Sequence, residues 1–181
     1  MKKILFINCS PRKNGNSNYL ISCLLDYYKQ SNNQVDSLDL TKMQLNGCNA
    51  CGYCKKNGKC INSDLTTDLL ATMYDYDLVI MFAPVYFCGF DSHTKMLIDR
   101  AESIYDNDKK PYGKIALVVS FGATSDENYL GMHYGMKYFS KAISKNYVGV
   151  KPFANTDNLT PKLKDEYKTR IIQYVDNLIN E

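Results

Sequence analysis

The chain has 181 residues, of which 45% are hydrophobic and 23% are charged, proportions of a folded globular protein rather than a disordered one. Its 22 Lys and Arg against 19 Asp and Glu give a net charge of +3, too small to indicate binding of nucleic acid or an anionic membrane. The longest apolar run, 78–88, is too short to span a membrane, and the apolar stretch after Met1 ends at Asn8, too early for a signal peptide. The composition therefore predicts one cytoplasmic domain over residues 1–181.

Apolar blocks rich in β-branched residues alternate along the chain with segments of helical periodicity. Strands are predicted at 3–8, 34–38, 78–83, 115–120 and 148–152. Helices are predicted at 17–30, 64–74, 94–104, 128–144 and 161–180, and a Cys-rich loop is inserted at 47–61. Five alternating strand–helix units predict an α/β fold with a parallel sheet and helices on both faces.

Local patterns support these helices. The first carries a core-facing stripe at positions i, i+3, i+4 and i+7, formed by Leu20, Cys23, Leu24 and Tyr27. Ser63 is the predicted N-cap of the second, and Thr124 and Glu127 have capping-box spacing before the fourth. Thr160 as N-cap and Pro161 at the first helical position predict the start of the last helix.

The loop after the first predicted strand has the chemistry of an anion site. At the carboxyl edge of an open α/β sheet, it combines hydroxyls, amides, a guanidinium and the backbone N–H groups that open the next helix. The residues predicted to bind phosphate are Ser10, Arg12, Asn14, Asn16, Ser17 and Asn18. The loop has neither the Walker pattern nor the dinucleotide fingerprint, and an ordinary capped turn is the alternative.

Two motifs carry a resemblance to a family. Residues 9–17, with the sequence CSPRKNGNS, resemble the G-S-P-R-x-x-G-N-[ST] loop of flavodoxin-like NAD(P)H-dependent FMN reductases. Residues 83–87, with the sequence APVYF, followed by Lys95, Asp99 and Arg100, resemble that family's S-P-V-Y-[FW] and K-x-x-x-D-R motifs. The chain has Cys9 where the family commonly has Gly, and Ala83, which lacks a hydroxyl, where it commonly has Ser.

The resemblance implies a flavodoxin-like, doubly wound, five-stranded parallel sheet that binds FMN, with NAD(P)H as an electron donor. In that family the first loop holds the FMN phosphate and the second borders the flavin ring, which here implies Pro84, Val85, Tyr86 and Phe87. A third flavin-facing loop follows the fourth strand at 120–124 and contributes Ser120 and Gly122. Burial of Tyr86, Phe87 and Cys88 in the core is the alternative for the second loop.

Four of the seven cysteines form a C-x2-C-x2-C-x5-C motif. Thiolates this close in a cytosolic chain favour a metal or redox role over disulfides. Zinc sites usually take two separated C-x2-C pairs, whereas three cysteines at successive x2 spacings resemble the run that binds an iron–sulfur cube. The predicted ligands of a [4Fe–4S] cluster are Cys48, Cys51, Cys54 and Cys60. Zinc and an empty loop stay open as alternatives.

The motif, placed after the second strand of a flavodoxin-like chain, resembles that of the iron–sulfur flavoproteins, in which four cysteines hold a [4Fe–4S] cluster near FMN. Among the remaining cysteines, Cys23 is expected to be a buried hydrophobe. Cys9 and Cys88 are expected near the flavin, packed rather than redox-active.

The predicted function is that of an FMN-binding oxidoreductase that transfers electrons between FMN and the cluster, with a small-molecule or ferredoxin-like donor or acceptor. A cluster-free NAD(P)H-dependent FMN or quinone reductase is the first alternative, and a non-enzymatic redox or metal sensor is the second. No catalytic side chain is predicted, since the cofactors carry the chemistry. His93 and His133 are assigned surface or capping roles, and Lys95 and Asp99 a structural ion pair. The resemblance implies a homodimer or homotetramer.

Overall fold

Five strands form one parallel sheet in the computed structural model, which describes residues 1–106, 108–123, 126–158 and 160–181. They are β1 (Lys3–Asn8), β2 (Gln34–Asp39), β3 (Leu78–Pro84), β4 (Lys114–Ser120) and β5 (Asn146–Phe153). Their order across the sheet is β2-β1-β3-β4-β5, and all four neighbouring pairs are parallel. This is the strand order of the flavodoxin-like doubly wound fold, so the predicted fold class is confirmed.

The helices cover both faces of the sheet, as predicted. They are α1 (Asn16–Tyr28), α2 (Tyr53–Asn57), α3 (Leu65–Thr72), α4 (Ser92–Arg100), α5 (Leu130–Ala142) and α6 (Pro161–Asn180). Helices α1 and α6 pack on one face, and α3, α4 and α5 pack on the other. All seven residues of β3 are buried between these two helical layers, which explains why the central strands are almost entirely apolar.

Helix starts and faces differ from the sequence prediction at two points. In α1, Tyr28 is buried because its ring packs against Phe6 in the core, whereas Tyr27 is 50% exposed. The hydroxyls of both tyrosines donate hydrogen bonds to Asp176 of α6, at 2.6 Å from Tyr28 and 3.0 Å from Tyr27. The predicted role of Tyr27 in the core stripe is therefore wrong. The N-cap of α3 is Asp64 rather than Ser63, since the Asp64 carboxylate accepts hydrogen bonds from the backbone N–H groups of Thr66 and Thr67.

The ends of the other predicted helices are tighter turns. The segments Met73–Asp75, Ala101–Ile104 and Asp126–Tyr129 are 3-10 helices that extend α3 and α4 and precede α5. Thr124, one half of the predicted capping box, lies outside the described residues. Thr160 caps α6 as predicted, with its hydroxyl accepting a hydrogen bond from the Leu163 N–H. Over the described ranges, no helix is long and apolar enough to cross a bilayer.

Reversal of strand order between β1 and β3 leaves a crevice at the carboxyl ends of these strands. The chain leaves β1 toward α1 on one face and leaves β3 toward α4 on the other. In doubly wound sheets this point is where ligands bind. The first two sequence motifs both lie at this edge.

Candidate functional site

Loops at the carboxyl ends of β1, β3, β4 and β5 border an open space of about 590 Å³, here called the sheet-edge cleft. Eight of the twelve residues predicted to bind flavin line it: Ser10, Arg12, Asn16, Pro84, Val85, Tyr86, Ser120 and Gly122. The cleft therefore brings together residues from all three predicted loops.

The loop after β1 is held in a fixed shape by its own hydrogen bonds. The Asn8 side chain accepts a hydrogen bond from the Ser10 N–H at 3.0 Å and donates one to the Ser10 carbonyl at 3.2 Å. The Ser10 hydroxyl accepts a hydrogen bond from the Arg12 N–H at 3.3 Å. A Cβ on Gly15 would lie 3.0 Å from the Arg12 carbonyl, so glycine lets the loop close tightly before α1. The loop is thus preformed.

The amino end of α1 opens into the cleft without a side-chain cap. Its N-cap is Gly15, and within the described range 1–106 no side chain accepts a hydrogen bond from the first N–H groups of this helix. Those N–H groups and the helix dipole make the end electropositive, and Arg12 adds a cation on the same cleft wall. An uncapped helix start beside a guanidinium fits the phosphate of FMN.

Four predicted flavin residues do not line the cleft. Asn18 shapes the loop instead, because its amide donates hydrogen bonds to the carbonyls of Arg12 and Lys13 at 3.1 and 3.0 Å. Ser17 is buried beneath the loop, and Asn14 is exposed outside the lining. Phe87 projects into solvent and is fully exposed.

The second loop makes a tight turn at the rim of the cleft. The N–H and carbonyl groups of Tyr86 and Gly89 exchange two hydrogen bonds, and Phe87 and Cys88 between them have φ of +48° and +59°. Two left-handed residues in succession define a type I′ turn, which directs both side chains outward. The alternative that Tyr86, Phe87 and Cys88 are core residues is wrong, because Tyr86 is half-buried in the cleft wall and the other two are exposed.

Phe121 belongs to the predicted third loop at 120–124, but two further cleft residues lie outside every predicted loop: Thr156 and Asp157. These two follow β5, where the Thr156 N–H donates a 3.1 Å hydrogen bond to the Phe121 carbonyl. A Cβ on Gly122 would lie 1.8 Å from Asp157 Oδ2, so a larger residue there would force the Asp157 side chain to move. The strand order places the end of β5 beside that of β4, and this neighbourhood is the signal that could have identified them.

The four cysteines of the C-x2-C-x2-C-x5-C motif line a second, more enclosed space, here called the cysteine cavity. Its wall is completed by Asp99 and Arg100 at the end of α4 and by Glu102 and Ser103 just after it. Three backbone positions in the loop are left-handed, with φ of +56° at Ala50, +70° at Gly52 and +67° at Gly58. The sulfur of Cys48 accepts a 3.4 Å hydrogen bond from the Ala50 N–H.

Arg100 closes the neck of the Cys-rich loop. The guanidinium donates hydrogen bonds to the carbonyl of Asn46 at 3.0 Å and to the carbonyl of Asn62 at 3.2 Å, on either side of the motif. It also forms a two-pronged ion pair with Asp64, with both N–O distances 3.1 Å. The side chain of Arg100 is 2% exposed. One buried side chain therefore holds both ends of the loop together.

The charges at this neck are mutually stabilised. Burial alone would lower the pKa of Arg100, but the hydrogen bond and charge of Asp64, with a smaller contribution from Cys60, raise it above its ordinary value. Burial would likewise raise the pKa of Asp64, yet hydrogen bonds from Arg100, Asn46 and the Thr67 N–H lower it. Both groups are therefore charged near neutral pH, and Arg100 gives the cavity wall a positive charge.

The cysteine cavity offers four thiols and one buried cation, together with the carboxylates of Asp99 and Glu102. Among the described residues, no three His, Cys, Asp or Glu side chains stand together at metal-binding positions. The four thiols nevertheless share one cavity, and none of them is in a disulfide. In the part of the chain that the structure describes, the buried side-chain nitrogen without a hydrogen-bond partner is Arg100 Nε, and Arg100 lines this same cavity. A buried donor without an acceptor matches a sulfur-rich anion.

The remaining cysteines lie outside this cavity. Cys23 is buried as predicted, and Cys9 is fully buried, where burial raises the pKa of its thiol and leaves it inert. Cys88 is exposed, so the expectation that it is packed is wrong.

The two histidines and the Lys95–Asp99 pair have structural contacts. His133 Nδ1 lies 3.0 Å from the Tyr147 hydroxyl. The His93 N–H donates a hydrogen bond to the carboxylate of Asp91, the N-cap of α4. Lys95 and Asp99 form the predicted ion pair on α4.

A family model described as NADPH-dependent FMN reductase matches residues 2–132 of the 181. The chain belongs to this family of flavin-dependent oxidoreductases. The match runs from β1 into α5 and includes both the sheet-edge loops of β1, β3 and β4 and the Cys-rich loop. The family predicted from the two motifs is therefore confirmed.

Relatives of known name match a shorter part of the chain. An iron–sulfur flavoprotein of Methanocaldococcus jannaschii is 33% identical over 102 residues, which is 56% of this chain and 53% of that protein. One from Archaeoglobus fulgidus is 31% identical over 91 residues, 50% of this chain and 41% of that protein. The chain thus spans about half the length of the curated relatives it matches.

Solved structures show the same fold. An FMN-dependent NADH-azoreductase from Bacillus anthracis in complex with FMN superposes with a TM-score of 0.71 at 15% identity, covering 98% of this chain and 99% of that one. At this identity the likeness concerns the fold alone.

Proposed function

We propose that the protein is an iron–sulfur flavoprotein that binds FMN in the sheet-edge cleft and a [4Fe–4S] cluster in the cysteine cavity, and transfers electrons between them. The observation that carries the proposal is the convergence of all four motif cysteines and a buried guanidinium on one cavity. Membership of the FMN reductase family supports the flavin, and relatives named iron–sulfur flavoprotein support the cluster.

When bound, FMN accepts two electrons as a hydride and returns them singly, while a [4Fe–4S] cluster carries one electron at a time. The protein supplies position and potential. We assign NAD(P)H, another small molecule or a ferredoxin-like protein as the donor or acceptor.

The residues of the cleft have distinct roles in this proposal. Arg12 and the uncapped start of α1 bind the phosphate, because both are positive and both face the same space. Pro84 and Tyr86 border the flavin ring, and Gly122 allows backbone close to it. The other predicted contacts are the backbone and side chains of Ser10, Asn14, Asn16, Ser17, Asn18, Val85, Phe87 and Ser120.

In the cavity, the thiolates of the four cysteines would act as ligands. Cys48, Cys51 and Cys54 come from the first part of the motif, and Cys60 follows the turn at Gly58. The N–H of Ala50 already donates to Cys48, and such N–H···S bonds help to set cluster potentials.

The proposal is tested by anaerobic purification, with flavin, iron and acid-labile sulfide measured on one sample. We expect one FMN with about four irons and four sulfides per chain. FMN without iron would leave a flavin reductase and contradict the cluster, and zinc in place of iron would contradict the electron-transfer step.

A cluster-free NAD(P)H-dependent FMN or quinone reductase is the second candidate, favoured by the description of the matching family model. Turnover of NAD(P)H by an iron-free chain would establish it. A redox or metal sensor, the third, would bind cofactor without turnover.

We also propose that the protein is a homodimer or homotetramer in the cytoplasm, where cysteines stay reduced. Phe87 projects fully exposed from the cleft rim, and Leu130, Tyr134 and Tyr138 of α5 are 45%, 59% and 73% exposed. A second subunit over these side chains would shield the flavin. A monomer by light scattering with FMN fully bound would contradict this.

A further inference from the structure

We propose that Arg100 is a positioning residue of the cysteine cavity, which closes the neck of the Cys-rich loop and donates a hydrogen bond from Nε to a sulfur of the group that the four cysteines bind. The inference rests on the proposed function and deepens it. In this inference Arg100 both maintains the shape of the loop and helps to set the reduction potential of the bound group.

The hydrogen bonds of Arg100 define the neck. Its two Nη atoms reach carbonyls sixteen positions apart, Asn46 before the first cysteine and Asn62 after the last. Asp64 holds the guanidinium from the far side of the neck, and the same carboxylate caps α3 and accepts a hydrogen bond from the Asn46 amide. The closed neck keeps all four thiols on one short loop, which brings Cys60 back toward the other three cysteines.

The remaining guanidinium nitrogen, Arg100 Nε, is the one available to a ligand. All of the Nη contacts are satisfied by protein, whereas Nε is buried without an acceptor. Arg100 lines the cavity together with the four thiols, and Cys60 interacts with its guanidinium. A buried donor of this kind is destabilising unless an acceptor arrives. The cavity lining offers the carboxylates of Asp99 and Glu102 as well as cysteine sulfur, but Asp99 is already paired with Lys95 and four thiols share the cavity, so we infer sulfur as the acceptor.

The hydrogen bond has a measurable electronic consequence. Reduction adds negative charge to the bound group, so a donor and a cation beside it stabilise the reduced state, and hydrogen bonds to sulfur raise the potential of iron–sulfur groups. Replacing Arg100 by Lys removes Nε and the fork geometry, and is expected to shift the midpoint potential to more negative values. Replacing Asp64 by Asn removes a nearby negative charge but keeps Arg100, and is expected to shift it to more positive values.

The experiment measures the midpoint potential of the cluster by a redox titration followed by electron paramagnetic resonance. The variants are Arg100→Lys and Asp64→Asn, with Arg170→Lys and Asp165→Asn on α6, at the other face of the sheet, as matched controls. Bound iron, bound FMN and Tm are recorded for each chain. A tenfold change in the preference for the reduced state appears as a shift of about 59 mV for one electron.

We expect shifts of opposite sign in Arg100→Lys and Asp64→Asn and no shift in the two controls, with FMN content unchanged throughout. A role confined to loop structure would lower iron content or Tm and leave the potential of the remaining cluster unchanged, which would overturn the inference, as would two shifts of the same sign. If Arg100→Lys does not fold, the sign of the shift in Asp64→Asn decides. A wild-type chain without iron would overturn the proposed function itself.

Discussion

The sheet-edge cleft and the cysteine cavity flank the same helix but are built by different means. Helix α4 begins at Ser92, beside the turn of the cleft rim, and ends at Arg100 in the cavity wall, about 12 Å away at 1.5 Å per residue. The cleft is assembled from strand ends joined by backbone hydrogen bonds. The cavity is a loop with several left-handed residues, closed at its neck by one side chain.

The difference predicts how each site responds to damage. Backbone hydrogen bonds, such as Val85 N–H to the Ser120 carbonyl and Phe121 N–H to the Phe153 carbonyl, hold the cleft in shape without a ligand. The cavity has a buried donor that lacks a partner in the described residues, so its ligand completes it. We therefore expect the flavin site to survive loss of the cluster.

The largest effect is expected from Cys54→Ser. It removes one of four thiolate ligands and should abolish iron and sulfide binding, while FMN content stays at the wild-type value because no cysteine of the motif lines the cleft. Iron, sulfide and flavin assays on the anaerobically purified chain measure this. Cys88→Ser, an exposed cysteine outside the cavity, is the control and should keep both cofactors.

Loss of FMN together with iron in Cys54→Ser would break the comparison, since it would mean that the two sites form one cooperative unit.

Arg12→Gln is expected to have a smaller effect, on FMN binding and not on iron binding. Hydrogen bonds to charged groups contribute about 1.5–3 kcal/mol, so FMN affinity should fall by about tenfold to a hundredfold, with iron content unchanged. Fluorescence titration of the apo-flavin chain with FMN measures the Kd. Lys13→Gln, one residue along but outside the cleft lining, is the matched control. An equal loss of affinity in both variants would point to general charge attraction rather than a phosphate contact.

The neck of the loop can be weakened more gently with Thr66→Val. The Thr66 hydroxyl accepts a 3.0 Å hydrogen bond from the Asn46 N–H, and its removal is expected to weaken the neck by about 1 kcal/mol. Iron should then be lost to a chelator about five times faster, with FMN affinity unchanged. Thr72→Val, on the same helix but exposed, controls for the substitution. Equal rates in the two variants would contradict a stabilising neck.

The smallest effect is expected from Lys145, a buried lysine at the opposite end of the sheet. It changes the free energy of unfolding without involving either site. Lys145 is 3% exposed and donates hydrogen bonds to the carbonyls of Tyr74 and Tyr76, and burial lowers its pKa to about 8 from 10.5. Between these values the unfolded chain binds more protons than the folded chain, so the free energy of unfolding should rise with pH.

Urea unfolding at pH 8.0 and 9.5 measures that rise. We expect Lys145→Met to lose it and Lys141→Met, an exposed lysine of α5, to keep it. A rise in both variants would assign the pH dependence to other groups.

Much of the fold was predictable because its signals are local. Strand β1 and helix α6 have the predicted bounds, since a buried strand is a run of apolar residues and the Thr-Pro pair marks a helix start. The choice of Tyr28 over Tyr27 was not, because it depends on packing of the Tyr28 ring against Phe6 of β1.

The site was predictable where motifs carried it. The loops after β1 and β3 were recognised from residues 9–17 and 83–87, whereas Thr156 and Asp157 enter the cleft only through the pairing of β4 with β5. The cysteine spacing predicted four ligands for a cluster, with zinc and an empty loop left open, but it did not predict the neck that closes the loop. Arg100 and Asp64 form an ion pair but are 36 positions apart in the sequence, so no local pattern predicts their contact.

The most direct test of two separate redox sites on one chain is an anaerobic titration with reductant, followed by flavin absorbance and by electron paramagnetic resonance. We predict about three reducing equivalents per wild-type chain, two for FMN and one for the cluster, and about two for Cys54→Ser. A wild-type chain that takes up two equivalents, with no change beyond the flavin, would contradict the account.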